Sequence, residues 1–215
     1  RLGRPRMTGK RLVLLGAGGH AKVVAEAAAA SGWSVVGFLD PGREPGERVL
    51  GLPVVGSGED FSDLTGCCDA FLPAIGDAVI RWREFRRLCA AGLRPATVIH
   101  PAAWVSPTAR IGGGTVGMAG AVVQAETRIG EAAIGNTRAS VDHDCRIGDG
   151  VMIAPGATLC GGVTIGDHAF VGAGAIVVPG IVIGRSAFVG AGTTVVADVP
   201  ENGRIKHVRR PAGSR

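Results

Sequence analysis

The sequence predicts two successive architectures: an α/β, Rossmann-like domain and then a parallel β-helix built from hexapeptide repeats. Three observations carry that expectation. Isoleucine followed by glycine recurs at 111, 129, 147, 165 and 183, an interval of eighteen residues. A finer rhythm runs beneath it: from Ile99 to Val195 every sixth position is aliphatic except Gly117 and Gly135. Ahead of the repeat, Arg11 to Gly32 reads as an apolar strand, a glycine loop and an alanine-rich helix.

The repeat fixes the second half. Neither an α-helix nor a flat alternating strand shows period six. In a β-helix each hexapeptide makes one short strand and a corner, and three of them close a triangular coil, so eighteen residues are one turn. Aliphatic side chains at the repeated position then stack inside the prism, and residues eighteen apart are vertical neighbours at roughly 4.8 Å. Small residues two positions before each, such as Ala121, Ala139, Ala157 and Ala175, suit the tight corners, as do the abundant glycines.

In the first half, Arg11–Leu15 reads as a buried strand, followed by Gly16-Ala17-Gly18-Gly19-His20-Ala21 and a helix ending near Gly32. The spacing fits a G-x-G-x-x-A loop, whose glycines let a phosphate approach a helix N-terminus. A strand from Ser34 to Leu39 ends in Asp40, where such folds place an acid on a ribose hydroxyl. A third strand, Ala70 to Ile75, leads through Gly76-Asp77 into an arginine-rich helix from Ala78 to Ala91. The segment is too short for six strands of a full dinucleotide fold, which favours a mononucleotide or nucleotide-sugar over NAD. The other reading of these glycines is tight strand-to-helix packing alone.

These boundaries divide the chain into residues 7–97, a nucleotide-sugar-binding domain, residues 98–199, the β-helix, and residues 200–215, a basic tail. Arg1 to Arg6 precede Met7 and are set aside from the fold. With no tyrosine and 4% aromatics, the core is aliphatic. No apolar run approaches the roughly eighteen residues of a spanning helix, and no secretory cleavage pattern follows the basic start, so a cytoplasmic location with no membrane partner is expected. The net charge of +5 fits nucleic acid or, equally well, a small polyanion, because the arginines cluster at the first residues, from Arg81 to Arg87 and at the tail; no nucleic-acid partner is expected. Five cysteines lack the paired spacing of disulfides or a zinc site, and most are expected to be reduced and buried.

The densest polar segment of the coils is Asn136 to Cys145. Val141 points inward, so His143 falls near a corner, with Gly161 one coil above and Ala125 one coil below. A missing side chain over a histidine leaves room for something slender, such as a pantetheine arm. A histidine of ordinary pKa can take a proton from an attacking hydroxyl or amine, and an adjacent acid, Asp144 or Asp142, can hold its tautomer. A surface histidine with no chemistry is the alternative on spacing alone. His20, His100, His168 and His207 offer no comparable acidic pairing beyond Asp167 next to His168.

Both halves in this order, with the motifs LLGAGGHAKVVAEA, GFLD, AIGD and NTRASVDHDC, resemble the sugar O-acyltransferase family. That family includes sialic acid O-acetyltransferases and the UDP-amino-sugar N-acetyltransferase of the bacillosamine pathway. The resemblance implies a left-handed coil, a homotrimer with active sites between subunits, and acetyl-CoA as co-substrate without a metal. It implies His143 as general base, oriented by Asp144. It further implies that Gly18, Gly19, His20, Asp40, Gly76 and Asp77 hold a UDP-linked sugar, and that acetyl-CoA touches Met152, Gly161, Ala173 and Ala191. Two departures stand out: Met152 replaces a second family histidine, and the usual ending of glycine, valine, proline, alanine and a base becomes Lys206-His207-Val208-Arg209-Arg210-Pro211-Ala212.

The expected function is therefore acetyl-CoA-dependent acetylation of an amino or hydroxyl group of a sugar for surface glycan synthesis. The alternatives are a sialic acid O-acetyltransferase and a non-enzymatic, nucleotide-sugar-binding trimeric scaffold. A metal-dependent carbonic anhydrase on the same coil would need three converging histidines, and the repeat supplies only His143 and His168.

Overall fold

A computed structural model describes residues 9–59 and 66–206. Residues 1–8 and the segment from His207 onward, including Arg209 and Arg210, lie outside the described residues.

The N-terminal elements are β1 (Arg11–Leu15), α1 (Gly19–Ala30), β2 (Ser34–Leu39), β3 (Arg48–Val49), β4 (Leu52–Gly56), β5 (Ala70–Pro73) and α2 (Ala78–Ala90). They form a sheet of order β3-β4-β2-β1-β5, parallel except for β3. The continuous apolar runs of β1 and β5 follow from burial on both faces. The β3–β4 hairpin is absent from the sequence reading because its turn is Leu50-Gly51, both at positive φ (51° and 76°). Such a two-residue turn ordinarily announces itself with Asn-Gly or Asp-Gly. The third expected strand stops at Pro73, because Ala74 and Ile75 already belong to the turn into α2.

From Val98 the chain winds into three parallel faces. One carries β7 (Trp104–Val105), β10 (Val122–Val123), β13 (Ser140–Val141), β16 (Thr158–Leu159), β19 (Ile176–Val177) and β22 (Thr194–Val195); the next β8 (Arg110–Ile111), β11 (Arg128–Ile129), β14 (Arg146–Ile147), β17 (Thr164–Ile165) and β20 (Val182–Ile183); the last β6 (Val98–Ile99), β9 (Val116–Gly117), β12 (Ile134–Gly135), β15 (Met152–Ile153), β18 (Phe170–Val171), β21 (Phe188–Val189) and β23 (Arg204–Ile205). Each strand is a two-residue pair, from β6 (Val98–Ile99) to β23 (Arg204–Ile205), and the ladder joins residues eighteen apart, as Val141 to Leu159. The aliphatic column from Val123 to Val195 is buried as one core. In the last coil the ladder pairs Val199 with Ile183 and Ile205 with Val189, sixteen residues on (199 − 183 and 205 − 189), so the repeat is shortened by two.

The corners show what the period-six rule leaves out. Every sixth residue from Gly114 to Gly192 has positive φ, and six of these positions hold Glu126, Ala132, Arg138, Asp144, His168 and Ser186. Non-glycine residues there carry a conformational cost of order 1–3 kcal/mol, which the backbone bonds between coils over-determine, for instance Asp144 N–H to Ala125 O at 3.0 Å.

The first unit docks along the lower coils. Helix α1 and the outward side chains Val98, Val116 and Ile134 share one core, while α2 meets the neighbouring edge through Phe85 and Ala132. Arg81, wholly buried, clasps this junction. Its guanidinium donates to Ile75 O, Gly76 O, Ala132 O and Gly150 O at 2.6 to 2.9 Å. Burial lowers its pKa to about 10, with Asp77 opposing, so it remains charged at neutral pH. All five cysteines are free, and only Cys145 is fully buried, fewer than the sequence suggested.

Candidate active site

The corner between β13 (Ser140–Val141) and β14 (Arg146–Ile147) presents Asp142, His143 and Asp144. Asp144 takes the left-handed corner conformation, φ 60°, which Asp tolerates better than most residues. Its Oδ2 meets His143 Nδ1 at 2.7 Å, and Asp142 Oδ1 accepts from the His143 backbone N–H at 3.0 Å. The imidazole side chain is 60% exposed. Its pKa is raised, first by the hydrogen bond to Asp144 and then by the charge of Asp142. With Nδ1–H directed at the carboxylate, Nε2 is left with its lone pair facing outward.

Two neighbours one coil away shape this corner. A Cβ at Gly161 would fall 2.6 Å from both Cε1 and Nε2 of His143, so the space over the ring exists only because residue 161 has no side chain. Underneath, the Thr127 hydroxyl donates to Asp142 O at 2.6 Å and accepts from Cys145 N–H at 3.1 Å. Sequence reasoning missed Thr127. Its signal was a buried-phase threonine at a position that is Ala or Cys in adjacent coils.

The loop residues gather at the carboxyl ends of the first sheet. Gly16 has φ +99°, and Gly18 and Gly19 have open space where a side chain would be. Asp40 accepts from Ala17 N–H at 2.7 Å and from Gly42 N–H at 2.8 Å, so its visible work is to hold the glycine loop. It also lines a cleft of about 400 Å³ with Gly16, Ser57, Ile75, Glu84 and Arg87. Asp77 caps α2 by accepting from Ile80 N–H at 2.9 Å, and Gly76 gives its carbonyl to Arg81. His20 sits in the first turn of α1, not in a loop, with Nε2 buried and unpartnered. Burial, reinforced by the charge of Arg81, lowers its pKa to about 4. Arg81 itself was legible as the 81, 85, 88 face of a helix, but its charge disguised it as surface.

Of the residues expected along a coenzyme, Gly161 alone shares the His143 corner. Met152 lies on the face against α1, and Ala173 and Ala191 occupy the third edge, after β18 (Phe170–Val171) and β21 (Phe188–Val189). His168 is on yet another edge, tilted against Trp82 at 5.5 Å. Among the described residues no three His, Cys, Asp or Glu side chains converge as ligands to a metal ion would.

A histidine–carboxylate pair on an open β-helix corner, in a chain that also carries a nucleotide-type loop, defines an acyltransferase of the hexapeptide class. Comparison with known proteins agrees. Residues 11–88 match the PglD N-terminal domain, and residues 162–197 match the hexapeptide repeat of succinyl-transferase. A histidine variant of perosamine N-acetyltransferase from Caulobacter crescentus, in complex with CoA and GDP-perosamine, is 41% identical. The match covers 91% of this chain and 92% of that one, with a TM-score of 0.87. The acetyltransferase domain of PglB from Neisseria gonorrhoeae, in complex with acetyl coenzyme A, is 40% identical over 92% and 96% of the chains, TM-score 0.87. WeeI from Acinetobacter baumannii is 27% identical over 93% and 97%, TM-score 0.77. Comparison with curated protein sequences gives no match. The chain belongs to the family of acetyl-CoA-dependent sugar acetyltransferases that join a PglD-type N-terminal domain to a left-handed β-helix.

Proposed function

We propose that this protein transfers the acetyl group of acetyl-CoA to an amino group of a nucleoside-diphosphate-linked sugar, in the cytoplasm, for surface glycan assembly. The observation that carries the reading is the 2.7 Å His143–Asp144 pair beneath the vacant position of Gly161. His143 Nε2 takes the proton of the acceptor amine as its nitrogen attacks the thioester carbonyl; Asp144 holds the tautomer and stabilises the imidazolium. The tetrahedral intermediate collapses by breaking the C–S bond, and the thiolate of coenzyme A leaves with the proton carried by His143. Gly161 supplies the channel for the pantetheine arm. Residues 7–97 hold the sugar nucleotide through Gly18, Gly19, His20, Asp40, Gly76 and Asp77, and residues 98–199 hold the donor.

A homotrimer completes the site in this reading. The face of β7 to β22 presents Trp104, Val122, Ser140, Thr158, Ile176 and Thr194, a column without charge in which Trp104 and Ile176 are exposed. In such a trimer another copy's Met152, Ala173 and Ala191 would line the His143 corner; within one chain they lie on a different face and edge. The resemblance implied a UDP sugar, whereas the C. crescentus relative is described with GDP-perosamine, so the base is assigned by titration with UDP and GDP.

The test is a mass-spectrometric assay of acetyl-CoA with UDP- and GDP-linked amino sugars. The reading expects one acceptor to gain an acetyl group, and His143→Ala to reduce the rate by about 10²-fold or more. Full activity of His143→Ala would remove the assignment of the base. Among the described residues no helix is long and apolar enough to cross a membrane.

A further inference from the structure

Beside the His143 corner lies a column of charge that acyl transfer, as derived above, leaves unused. On the face of β8 to β20 the outward positions of successive coils are Arg110, Arg128, Arg146, Thr164 and Val182. Arg110 pairs with Arg128 and Arg128 with Arg146, so the three side chains rise from rungs roughly 4.8 Å apart. All three are exposed, and among the described residues none has an ion pair or side-chain hydrogen bond. Like charges directly opposite each other weaken a sheet. The coil does not demand arginine here, since Thr164 and Val182 occupy the same position higher up.

Two open clefts run along the column. One of about 370 Å³ is lined by Thr108, Arg110, Glu126 and Arg128. The other, of about 220 Å³, is lined by Arg128, Arg146, Gly148 and Thr164. Arg128 belongs to both, so they form one groove, and its Arg146 end begins two residues after Asp144. Glu126 is the single acid in the lining; it precedes Arg128 by two residues, as Asp144 precedes Arg146, and so lies beside the middle rung.

We propose that Arg110, Arg128 and Arg146 form a diphosphate-binding strip that anchors a substrate whose reacting group lies at His143. The proposal rests on the acetyl-transfer reading, because coenzyme A and a nucleotide sugar both carry a diphosphate. Guanidinium forks match phosphate oxygens in paired hydrogen bonds, and a bare positive face draws an anion in from solution.

The experiment is calorimetric titration of the full chain with inorganic pyrophosphate, coenzyme A, UDP and GDP, at one fixed ionic strength. The proteins compared are the wild type, the triple variant Arg110→Gln, Arg128→Gln, Arg146→Gln, and the single variant Arg128→Lys, with light scattering on each. The wild type binds pyrophosphate, and the triple variant loses at least about ten-fold in affinity, with Arg128→Lys in between. A matching loss for coenzyme A alone assigns the strip to the donor; a loss for UDP or GDP alone assigns it to the acceptor. A triple variant that binds every probe like the wild type overturns the strip and leaves acetyl transfer standing. So does a change of oligomeric state at unchanged pyrophosphate affinity. A wild type that binds pyrophosphate through these arginines but no coenzyme A keeps the strip and sinks the acetyl-transfer reading; binding of no probe at all sinks both.

Discussion

Replacing Gly161 by alanine separates catalysis from stability in a way the structure makes quantitative. The new Cβ would stand 2.6 Å from His143 Cε1 and Nε2, against an ordinary contact of 3.4 Å or more. The ring must therefore retreat by at least 0.8 Å (3.4 − 2.6). That movement breaks the 2.7 Å bond to Asp144 or turns Nε2 away from the acceptor, and it narrows the passage for pantetheine. A displacement of about 1 Å at a reacting group costs about 10²-fold in rate, equivalent to about 2.7 kcal/mol of transition-state stabilisation. Stability should barely change. Gly161 does not have positive φ, the atom it strikes belongs to an exposed side chain, and a Gly→Ala change at a compatible site gains about 0.4–1 kcal/mol through the unfolded chain. Thiol release from acetyl-CoA gives kcat/KM, and scanning calorimetry gives Tm. Wild-type kcat/KM for Gly161→Ala refutes the reasoning, as does a loss of activity that only follows a collapse in Tm.

Four further outcomes can be checked. In Asp144→Asn, His143 loses the main cause of its raised pKa, so the acid limb of log kcat/KM moves to lower pH while the plateau drops by about ten-fold or more; a pH–rate profile reads both. Thr127→Val strands Asp142 O and Cys145 N–H, and a urea midpoint should show about 1–3 kcal/mol of destabilisation together with a lower kcat. Arg81→Met leaves carbonyls at the junction of the two units unpaired, a loss of about 3 kcal/mol or more by chemical denaturation. His20 is held to about 4 in the fold against 6.5 unfolded. The unfolded chain therefore binds the extra proton as pH falls below 6.5, and stability declines by about 2 kcal/mol between pH 7.5 and 5; His20→Asn should lack that share of the decline.

The β-helix was readable because each of its interior positions faces one column, so the rule that packs Val141 on Leu159 is written into the sequence at a fixed interval. The strands β1 and β2 were readable to the residue for a related reason: both are short apolar runs bounded by turn residues. Hydrogen bonding that crosses coils leaves no such trace. Thr127 and Arg81 act through backbone carbonyls contributed by distant residues, and no spacing rule encodes a carbonyl. The vertical stacking of Gly161 on His143 followed directly from the eighteen-residue register. In the proposed trimer, which copy's edge would approach that pair did not, because Met152, Ala173 and Ala191 carry no mark of the neighbour they would meet.

The register also makes the fold a measuring device. Inserting eighteen residues below His143 would raise it by one rung, roughly 4.8 Å, without turning it to another edge, whereas inserting six would swing it a third of the way around the prism. Distance from the glycine loop and direction of approach are thus adjustable separately. A chain lengthened by whole coils would keep the same histidine aimed the same way.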